Sequence, residues 1–260
     1  MYNFASVYIV LIVKKIMKTL VIIPSRLSAQ RLPGKPLIKI KGLSIISHVF
    51  KKAEEANIGE VIVAAEDQEI VDDVKQNGGQ AILTKNKHKT GTDRIYEVFQ
   101  KINSSDIDLI MNLQGDEPLM NIEDIRNLNK KMIESSSKLG TLASKIQDRT
   151  LLENPNVVKV LTKENLNQTN FPEAENFMRN ISQEKENIYH HLGIYSYNKD
   201  TLKKFVSLNQ STNEIKNRLE QLRALDNDIK INVALAVSSS IGVDTKEDFV
   251  AIKKIMEYKT

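Results

Sequence analysis

From Met17 onward, short aliphatic runs alternate with amphipathic stretches, and this alternation restricts the folds open to the chain. The first run, residues 20–23, is Leu-Val-Ile-Ile, as expected of a strand buried on both faces of a parallel sheet. Parallel strands need crossover connections, which amphipathic helices supply. The pattern therefore predicts an α/β fold with a doubly wound, mostly parallel sheet. The predicted strands are 20–23, 61–65, 81–83 and 107–113, and the predicted helices are 45–56, 67–76 and 92–102, with Thr92 as a candidate N-cap of the last.

The second half of the chain is less regular. Strands are predicted at 142–146, 157–161, 192–197 and 231–237, and helices at 213–225 and 246–258. Residues 165–187 are rich in Asn, Gln and Glu, and we expect them to form a surface excursion. Because no long linker divides the chain, residues 17–260 are interpreted as a single domain with a small embedded subregion.

We interpret residues 1–16 as a non-functional N-terminal extension, with Met17 as the functional start. The apolar run 2–13 is shorter than the ~20 residues that a membrane-spanning helix needs. The positive charges follow the apolar run, whereas a signal peptide carries them before it. A membrane-surface anchor and an extra helix are the remaining interpretations.

Composition excludes several other functions. The chain of 260 residues has no cysteine, which rules out disulfides, a thiolate nucleophile and a Cys-ligated metal. The net charge is +4, but the lysines are scattered among glutamates, and this argues against a nucleic-acid-binding face. An anionic small substrate would need only a local basic pocket.

Two unusual loops are predicted to meet at one edge of the sheet. Residues 25–36 follow the first strand and 114–118 follow the fourth, and ligands of doubly wound sheets bind beyond the carboxyl ends of the strands. The first loop carries Arg26, Arg31 and Lys35, which suit a triphosphate because several cations must converge on it. The second places Asp116 at a strand end, where an aspartate is by itself most often a turn former.

Several sequence blocks resemble the 3-deoxy-manno-octulosonate (KDO) cytidylyltransferase family, the CMP-KDO synthetases. They are R-x-x-x-x-R-L-P-G-K-P-L from Arg26, N-x-Q-G-D-E-P from Asn112, H-L-G-I-Y from His191, L-E-Q-L-R from Leu219 and G-V-D-T-x-E-D from Gly242. The blocks occur in the family's order and span nearly all of the chain after Met17. CMP-sialic acid synthetases carry a looser version of the first block.

The resemblance implies a fold, a reaction and a site. The fold would be the Rossmann-like three-layer fold of nucleotide-diphospho-sugar transferases, with a subregion for sugar binding and dimerisation. The reaction would transfer CMP from CTP to KDO for lipopolysaccharide synthesis in the cytoplasm, in a homodimer that uses Mg²⁺. The implied residues are Lys35, Asp116 and Asp244 for catalysis, the two aspartates also as metal ligands; Arg26, Arg31, Lys35, Thr92 and Arg94 for the nucleotide; and Gln114, Arg179, His191, Tyr195, Glu220 and Gln221 for the sugar.

The residues alone have plainer interpretations at some of these positions. His191 precedes an apolar strand and would ordinarily be a hydrogen-bonded structural residue, and Glu220 would lie on a solvated helix face. Thr92 would only cap its helix. For these residues the functional role comes from the resemblance.

The chain departs from the family pattern at two places. Ala64-Ala65-Glu66 stands where the family has Ala-Thr-Asp, which loses a hydroxyl near the nucleotide. The Tyr-Phe-Ser-Arg-x-x-Ile-Pro block, whose Arg contacts the sugar carboxylate, is best matched by residues 176–179, so that Arg179 is the candidate for its role. Another sugar nucleotidyltransferase, or a non-catalytic nucleotide-binding relative, therefore stays open as an alternative.

Overall fold

The computed structural model of the protein describes residues 17–28, 31–85, 88–181, 186–239 and 242–258. The expectation for residues 1–16 lies outside the described residues. The strands are β1 Lys18–Ser25, β2 Lys39–Ile40, β3 Leu43–Ser44, β4 Gly59–Ala65, β5 Ala81–Leu83, β6 Ile107–Asn112, β7 Leu139–Ser144, β8 Lys159–Thr162, β9 Ala174–Met178, β10 Ile188–Asn198 and β11 Asn232–Leu235. The helices are α1 Ile45–Ala56, α2 Gln68–Gln76, α3 Gly91–Ile102, α4 Ile122–Ser135, α5 Thr150–Glu153, α6 Lys199–Ser207, α7 Thr212–Asn217, α8 Leu222–Leu225 and α9 Lys246–Tyr258.

One mixed sheet organises these elements, in the order β11-β7-β10-β6-β1-β4-β5. The strands predicted in the first half, β1, β4, β5 and β6, are all parallel neighbours, which confirms the doubly wound half of the sheet. β10 is antiparallel to both β6 and β7, while β11 is parallel to β7. The short strands β8 and β9 extend from β10 as an antiparallel pair, and they form the embedded subregion.

Alternate residues of β1 pack into different layers, because successive side chains of a strand point to opposite faces. Val21 and Ile23 join a core with α1, α2 and α4, and Leu20 and Ile22 join a core with α3 and α6. All of these β1 residues are fully buried, which explains why the run contains only aliphatic side chains. Helices therefore cover both faces, and the three-layer expectation is confirmed.

The start of the third helix differs from its prediction. Its N-cap is Thr90, whose hydroxyl accepts from the N–H of Asp93, while the Asp93 carboxylate accepts from the N–H of Thr90. This reciprocal capping box satisfies two free N–H groups and moves the cap ahead of Thr92. Thr92 lies in the first helical turn and is buried.

Two predictions for the second half are wrong. The helix expected at 213–225 is divided, because Arg218 adopts a left-handed conformation with φ of 53° and ends α7 before α8 begins. Residues 165–187 are not only a surface excursion, since β9 lies within them and pairs with β8. Phe177 of β9 is buried in the core, which provides the reason for the strand despite its polar surroundings.

Gly59 is required where β4 pairs with β1. A Cβ added to Gly59 would lie 1.8 Å from the carbonyl oxygen of Thr19, its partner in register. We expect Gly59→Ala to lower the free energy of unfolding by about 1–3 kcal/mol, because the two strands would have to move apart. Urea unfolding measures this change. Glu60→Ala, at the exposed neighbouring position, is the control and should stay within about 0.5 kcal/mol of the unsubstituted protein; an equal effect of both substitutions would contradict the steric explanation.

Candidate active site

An open cleft of about 1360 Å³ lies beyond the carboxyl ends of the parallel strands. Ser25 at the end of β1, residues 114–116 after β6, and Thr90 and Gly91 at the start of α3 line it. This is the edge at which doubly wound sheets bind ligands. The cleft brings together many of the residues singled out in the sequence: Arg26, Arg31, Lys35, Arg94, Gln114, Asp116, Arg179 and Asp244.

Asp116 and Asp244 converge on one ammonium group. The Nζ of Lys35 lies 2.6 Å from Oδ2 of Asp116 and 3.2 Å from Oδ1 of Asp244. The other oxygen of Asp244 accepts from Nη2 of Arg31 at 2.9 Å. Residues that are up to 213 positions apart in the chain therefore form one charge cluster, as the resemblance implied.

Local backbone structure holds this cluster in place. Lys35 begins a short 3-10 helix, Lys35–Leu37, after Gly34, whose φ of 69° is one that glycine adopts without strain. On the other side, the N–H of Val243 donates to the carbonyl of Asp116 at 2.8 Å. The carboxylate of Asp248 accepts from the N–H of Asp244 at 3.1 Å and that of Thr245 at 2.8 Å, and so fixes the first turn of α9.

The donor set of this cluster fits Mg²⁺. Two carboxylates share one cation position, and Mg²⁺ in nucleotide enzymes is commonly held by one or two carboxylates together with substrate phosphates and water. Among the described residues no group of three or more His, Cys, Asp or Glu forms a metal cage. Asp116 and Asp244 could therefore hold the ion only with oxygens from the substrate and water.

Arg94 of α3 lies at the other end of the cleft, and its guanidinium is bonded to other residues of the same chain. It forms an ion pair with Glu66 and hydrogen bonds to the hydroxyl of Thr84 and, at 3.3 Å, to the carbonyl of Lys85. Burial lowers the pKa of Arg94, and the Glu66 carboxylate opposes this shift. Glu66, the residue that departs from the family pattern, thus holds Arg94 across the ends of β4 and β5.

The chain matches known proteins over most of its length. The family profile described as Cytidylyltransferase matches residues 20–231. The 3-deoxy-manno-octulosonate cytidylyltransferase of Thermodesulfovibrio yellowstonii is 40% identical over 252 residues, which covers 92% of this chain and 98% of that relative. The chain belongs to this family of cytidylyltransferases.

Other members and solved structures agree with the assignment. The cytidylyltransferase of the same name from Afipia carboxidovorans is 40% identical over 240 residues, covering 92% of this chain and 96% of the relative. The solved structure of CMP:2-keto-3-deoxy-manno-octonic acid synthetase complexed with CTP has a TM-score of 0.84 at 34% identity, over 94% of this chain and all of that one. A 4-diphosphocytidyl-2C-methyl-D-erythritol synthase from Anaerococcus prevotii, 14% identical with a TM-score of 0.62, shares the fold.

Four residues that the resemblance assigned to the sugar form a row on β10 and directly before α8, and none of them is among the residues that line the cleft: His191, Tyr195, Glu220 and Gln221. His191 is buried, its Nε2 lies 3.0 Å from the hydroxyl of Thr141, and its ring meets that of Tyr195 at 5.4 Å. Burial raises the pKa of Tyr195, and the neighbouring Tyr197 and Glu220 raise it further. Glu220 is partly buried and its Oε1 has no hydrogen bond to a described residue, so the expectation of an exposed helix face is wrong. Gln221 is buried at the start of α8.

Burial governs the charge state of this row. It raises the pKa of the Glu220 carboxyl, an effect that the hydroxyls of Thr90 and Thr92 partly offset. Thr92 therefore contacts Glu220, and the residues that line the cleft at this point are Thr90 and Gly91. The structure does not place Thr92 on the cleft surface where the resemblance expected a nucleotide contact.

Arg179 lies on the cleft surface directly after β9. Its guanidinium donates to the carbonyls of Asn217, Pro155 and Arg218, each at 3.1 Å. The buried Lys159 of β8 donates at 2.7 Å to the carbonyl of Arg179 and so fixes its backbone. The pairing of β8 with β9 thus brings Arg179 to the cleft although its sequence block is displaced. Gln114 also lines the cleft and donates to the carbonyl of Gly193 at 3.0 Å.

Several cleft residues were not singled out in the sequence. They are His88, Lys89, Asn156, Asn180, Lys216 and Arg218. Only His88 and Lys89 had a sequence signal, because they directly precede the T-G-T-D-R segment that starts α3. The others lie on loops or on a helix end whose position depends on the β8–β9 pair.

His191 makes stability depend on pH. Burial and, to a smaller degree, His190 lower its pKa to about 3 from 6.5. Between those values the unfolded chain binds the extra proton, so the free energy of unfolding should fall as the pH decreases below about 6.5. We expect His191→Gln to reduce this slope, which for one group cannot exceed about 1.4 kcal/mol per pH unit. Urea unfolding between pH 4 and 7 measures it, and identical slopes for both proteins would contradict the effect.

Proposed function

We propose that the protein transfers CMP from CTP to the anomeric hydroxyl of 3-deoxy-D-manno-octulosonate, with release of pyrophosphate. The observation that carries the proposal is the convergence of Asp116 and Asp244 on Lys35, beside Arg31, in the cleft. Family membership adds that relatives at 40% identity bear the name of this reaction.

The nucleotide side of the cleft is proposed to bind the triphosphate by charge. Arg26 and Arg31 are exposed on the loop after β1, and Lys35 lies beneath them. Arginine donates to two phosphate oxygens at once, whereas lysine acts as a compact charge. Arg94 and Glu66 lie further along the same edge and suit the nucleoside part of CTP.

The reaction needs positioning and charge neutralisation rather than a covalent intermediate. The sugar hydroxyl attacks the α-phosphorus in line, the bond to the β-phosphate oxygen breaks, pyrophosphate leaves and the hydroxyl proton is lost to solvent. Mg²⁺ on Asp116 and Asp244 would supply charge neutralisation and acidify the attacking hydroxyl. Lys35 holds both carboxylates and remains close enough to contact a phosphate oxygen.

The acidic sugar is proposed to bind against the row of His191, Tyr195, Glu220 and Gln221, with Gln114 between the row and the metal-binding aspartates. Neutral rings and a buried amide recognise hydroxyls by hydrogen bonds. Arg179 is proposed to face the sugar carboxylate. It has five N–H groups, and three hydrogen bonds to backbone carbonyls leave two for a ligand.

We also propose a cytoplasmic homodimer. No helix within the described part of the chain is long and apolar enough to span a membrane. Light scattering on the purified protein tests the dimer. The resemblance implies that the embedded subregion contributes to the dimer contact, and substitutions on β8 and β9 would test that location.

One observation favours a second candidate, a relative that binds CTP without turnover. The hydrogen bonds from the Arg179 guanidinium to backbone carbonyls restrict its ability to turn toward a sugar carboxylate. Loss of that sugar contact would abolish catalysis but not nucleotide binding. Pyrophosphate release with Mg²⁺, the four nucleoside triphosphates and several acidic sugars separates the candidates. CTP binding without release under any condition would favour the second, and release with another pair would redefine the substrate.

Asp116→Asn should remove most turnover, because one of the two carboxylates proposed to hold Mg²⁺ loses its charge. We expect a fall of at least about a hundredfold in kcat at limiting Mg²⁺, equivalent to roughly 3 kcal/mol. Pyrophosphate release at several Mg²⁺ concentrations measures it. Asp72→Asn, on the exposed side of α2, is the control. Unchanged turnover of Asp116→Asn at limiting Mg²⁺ would exclude the metal role.

Lys35→Ala should weaken CTP binding more than sugar binding. The substitution removes a phosphate contact and leaves the two aspartates without their cation, so that they repel the triphosphate. Calorimetry with CTP and with the sugar, each in the presence of Mg²⁺, measures the two losses. We expect about tenfold or more for CTP. Equal losses for both ligands would argue against a phosphate contact.

A further inference from the structure

His88 is a cleft residue to which the proposed reaction assigns no role. It follows β5 and precedes the N-cap of α3, and its side chain lines the cleft together with Lys89 and Thr90. Its Nε2 forms a hydrogen bond with Oε2 of Glu97 on α3. The ring is thus held on one side by a helix and faces the cleft as well.

Glu97 is a fixed anion. Burial alone would raise the pKa of its carboxyl, but hydrogen bonds from Lys101, His88 and the N–H of Lys85 lower it to about 2. Lys101 lies 2.8 Å from Oε1, and the N–H of Lys85 donates to Oε2 at 3.2 Å. Because a carboxylate only accepts, Nε2 of His88 is the protonated nitrogen of this contact.

This arrangement fixes the orientation of the ring and leaves Nδ1 for another partner. Among the described residues His88 has no hydrogen bond other than that to Glu97. Arg94, one turn earlier on α3, holds Thr84 and the carbonyl of Lys85. Thr84, Lys85 and His88 are therefore all hydrogen-bonded to side chains of α3. Residues 86–87 lie outside the described ranges.

The position of His88 in the sheet indicates which part of CTP it faces. The metal-binding Asp116 follows β6, while His88 follows β5, and the order β6-β1-β4-β5 separates these strands by three spacings. At about 4.8 Å per spacing the separation is about 14 Å. A nucleotide with its α-phosphate near Asp116 can extend along this edge toward β5, so its nucleoside end would lie on the side of the cleft that His88 lines.

We propose that His88 binds the nucleoside end of CTP through Nδ1 and that Glu97 is a positioning residue that acts through His88. The inference rests on the proposed function, because it takes CTP as the nucleotide. It adds a nucleoside contact outside the cluster of Lys35, Asp116 and Asp244.

Calorimetry of CTP binding to the full chain, without sugar, tests the proposal. In His88→Gln the amide nitrogen can replace Nε2 and keep the hydrogen bond to Glu97, but nothing replaces Nδ1. We expect the Kd for CTP to rise about fivefold to tenfold, as for loss of one hydrogen bond. His48→Gln is the matched control, because the ring of His48 on α1 bonds the carbonyl of Ile40 and does not line the cleft.

A purely structural His88 would give a different result. Since His88→Gln preserves the link to α3, a Kd within twofold of the unsubstituted protein would overturn the proposal. The steady-state readout is a higher KM for CTP with kcat within about twofold, and a loss confined to kcat would also contradict it. If the unsubstituted protein bound no CTP, both the proposed function and this inference would fail; if it bound CTP and His88→Gln bound it with a Kd within twofold, only the inference would fail.

Glu97→Gln tests the positioning role. If Glu97 acts through His88, Glu97→Gln alone weakens CTP binding. The double variant with His88→Gln then binds CTP no more weakly than His88→Gln alone. Equal effects in both backgrounds would contradict the role.

Analogues identify the contacted group. A penalty of His88→Gln that disappears with 2′-deoxy-CTP assigns the contact to the ribose hydroxyl, and one that disappears with UTP assigns it to the cytosine amino group. A penalty that is also present for inorganic triphosphate would place His88 on the phosphates and overturn the assignment to the nucleoside end.

Discussion

The active site depends on one buried ammonium group that holds two carboxylates together. Asp116 and Asp244 come from distant parts of the chain and would repel each other at this distance without a cation between them. Lys35 supplies that cation and is itself held by a 3-10 turn below the carboxyl end of β1. The charge cluster therefore forms only when three segments all adopt their native positions: the loop after β1, the turn after β6 and the start of α9.

The two sides of the site differ in their electrostatics. On the proposed nucleotide side, exposed arginines line an open cleft, which suits a highly charged ligand. On the proposed sugar side, burial keeps His191 and Tyr195 neutral, which suits recognition by hydrogen bonds. Gln114 and the two aspartates lie between these sides, where the proposed transfer of CMP would take place.

The embedded subregion explains how Arg179 can reach the cleft although its sequence block is displaced relative to the family pattern. Arg179 comes late in the sequence relative to the family block, but β9 pairs with β8, and β8 pairs with β10. The extra residues lie between the paired strands, so the end of β9 still reaches the cleft. Glu66 stands where the family has Asp, and its longer side chain is accommodated because it forms an ion pair with Arg94.

Local signals were enough to predict part of this structure. The uninterrupted aliphatic run of β1 predicted a buried parallel strand, because only a strand covered on both faces tolerates it. The prediction of Thr92 as the cap of α3 is wrong although a local signal for the correct cap is present. Thr90 is followed three residues later by Asp93, and these two form the reciprocal capping pair. Nothing local indicated that Arg218 would end a helix, since a left-handed arginine is set by its surroundings.

By itself, the sequence determined the parallel half of the sheet, the cationic loop after β1 and the order of the family motifs, because these depend on residues near one another in the chain. Only the tertiary structure decided that Asp116 meets Asp244, that β9 carries Arg179 to the cleft and that His88 is held by Glu97. The two aspartates and Arg179 acquire their partners only when distant segments come together at one edge of the sheet, and His88 meets Glu97 because α3 returns alongside the residues that follow β5.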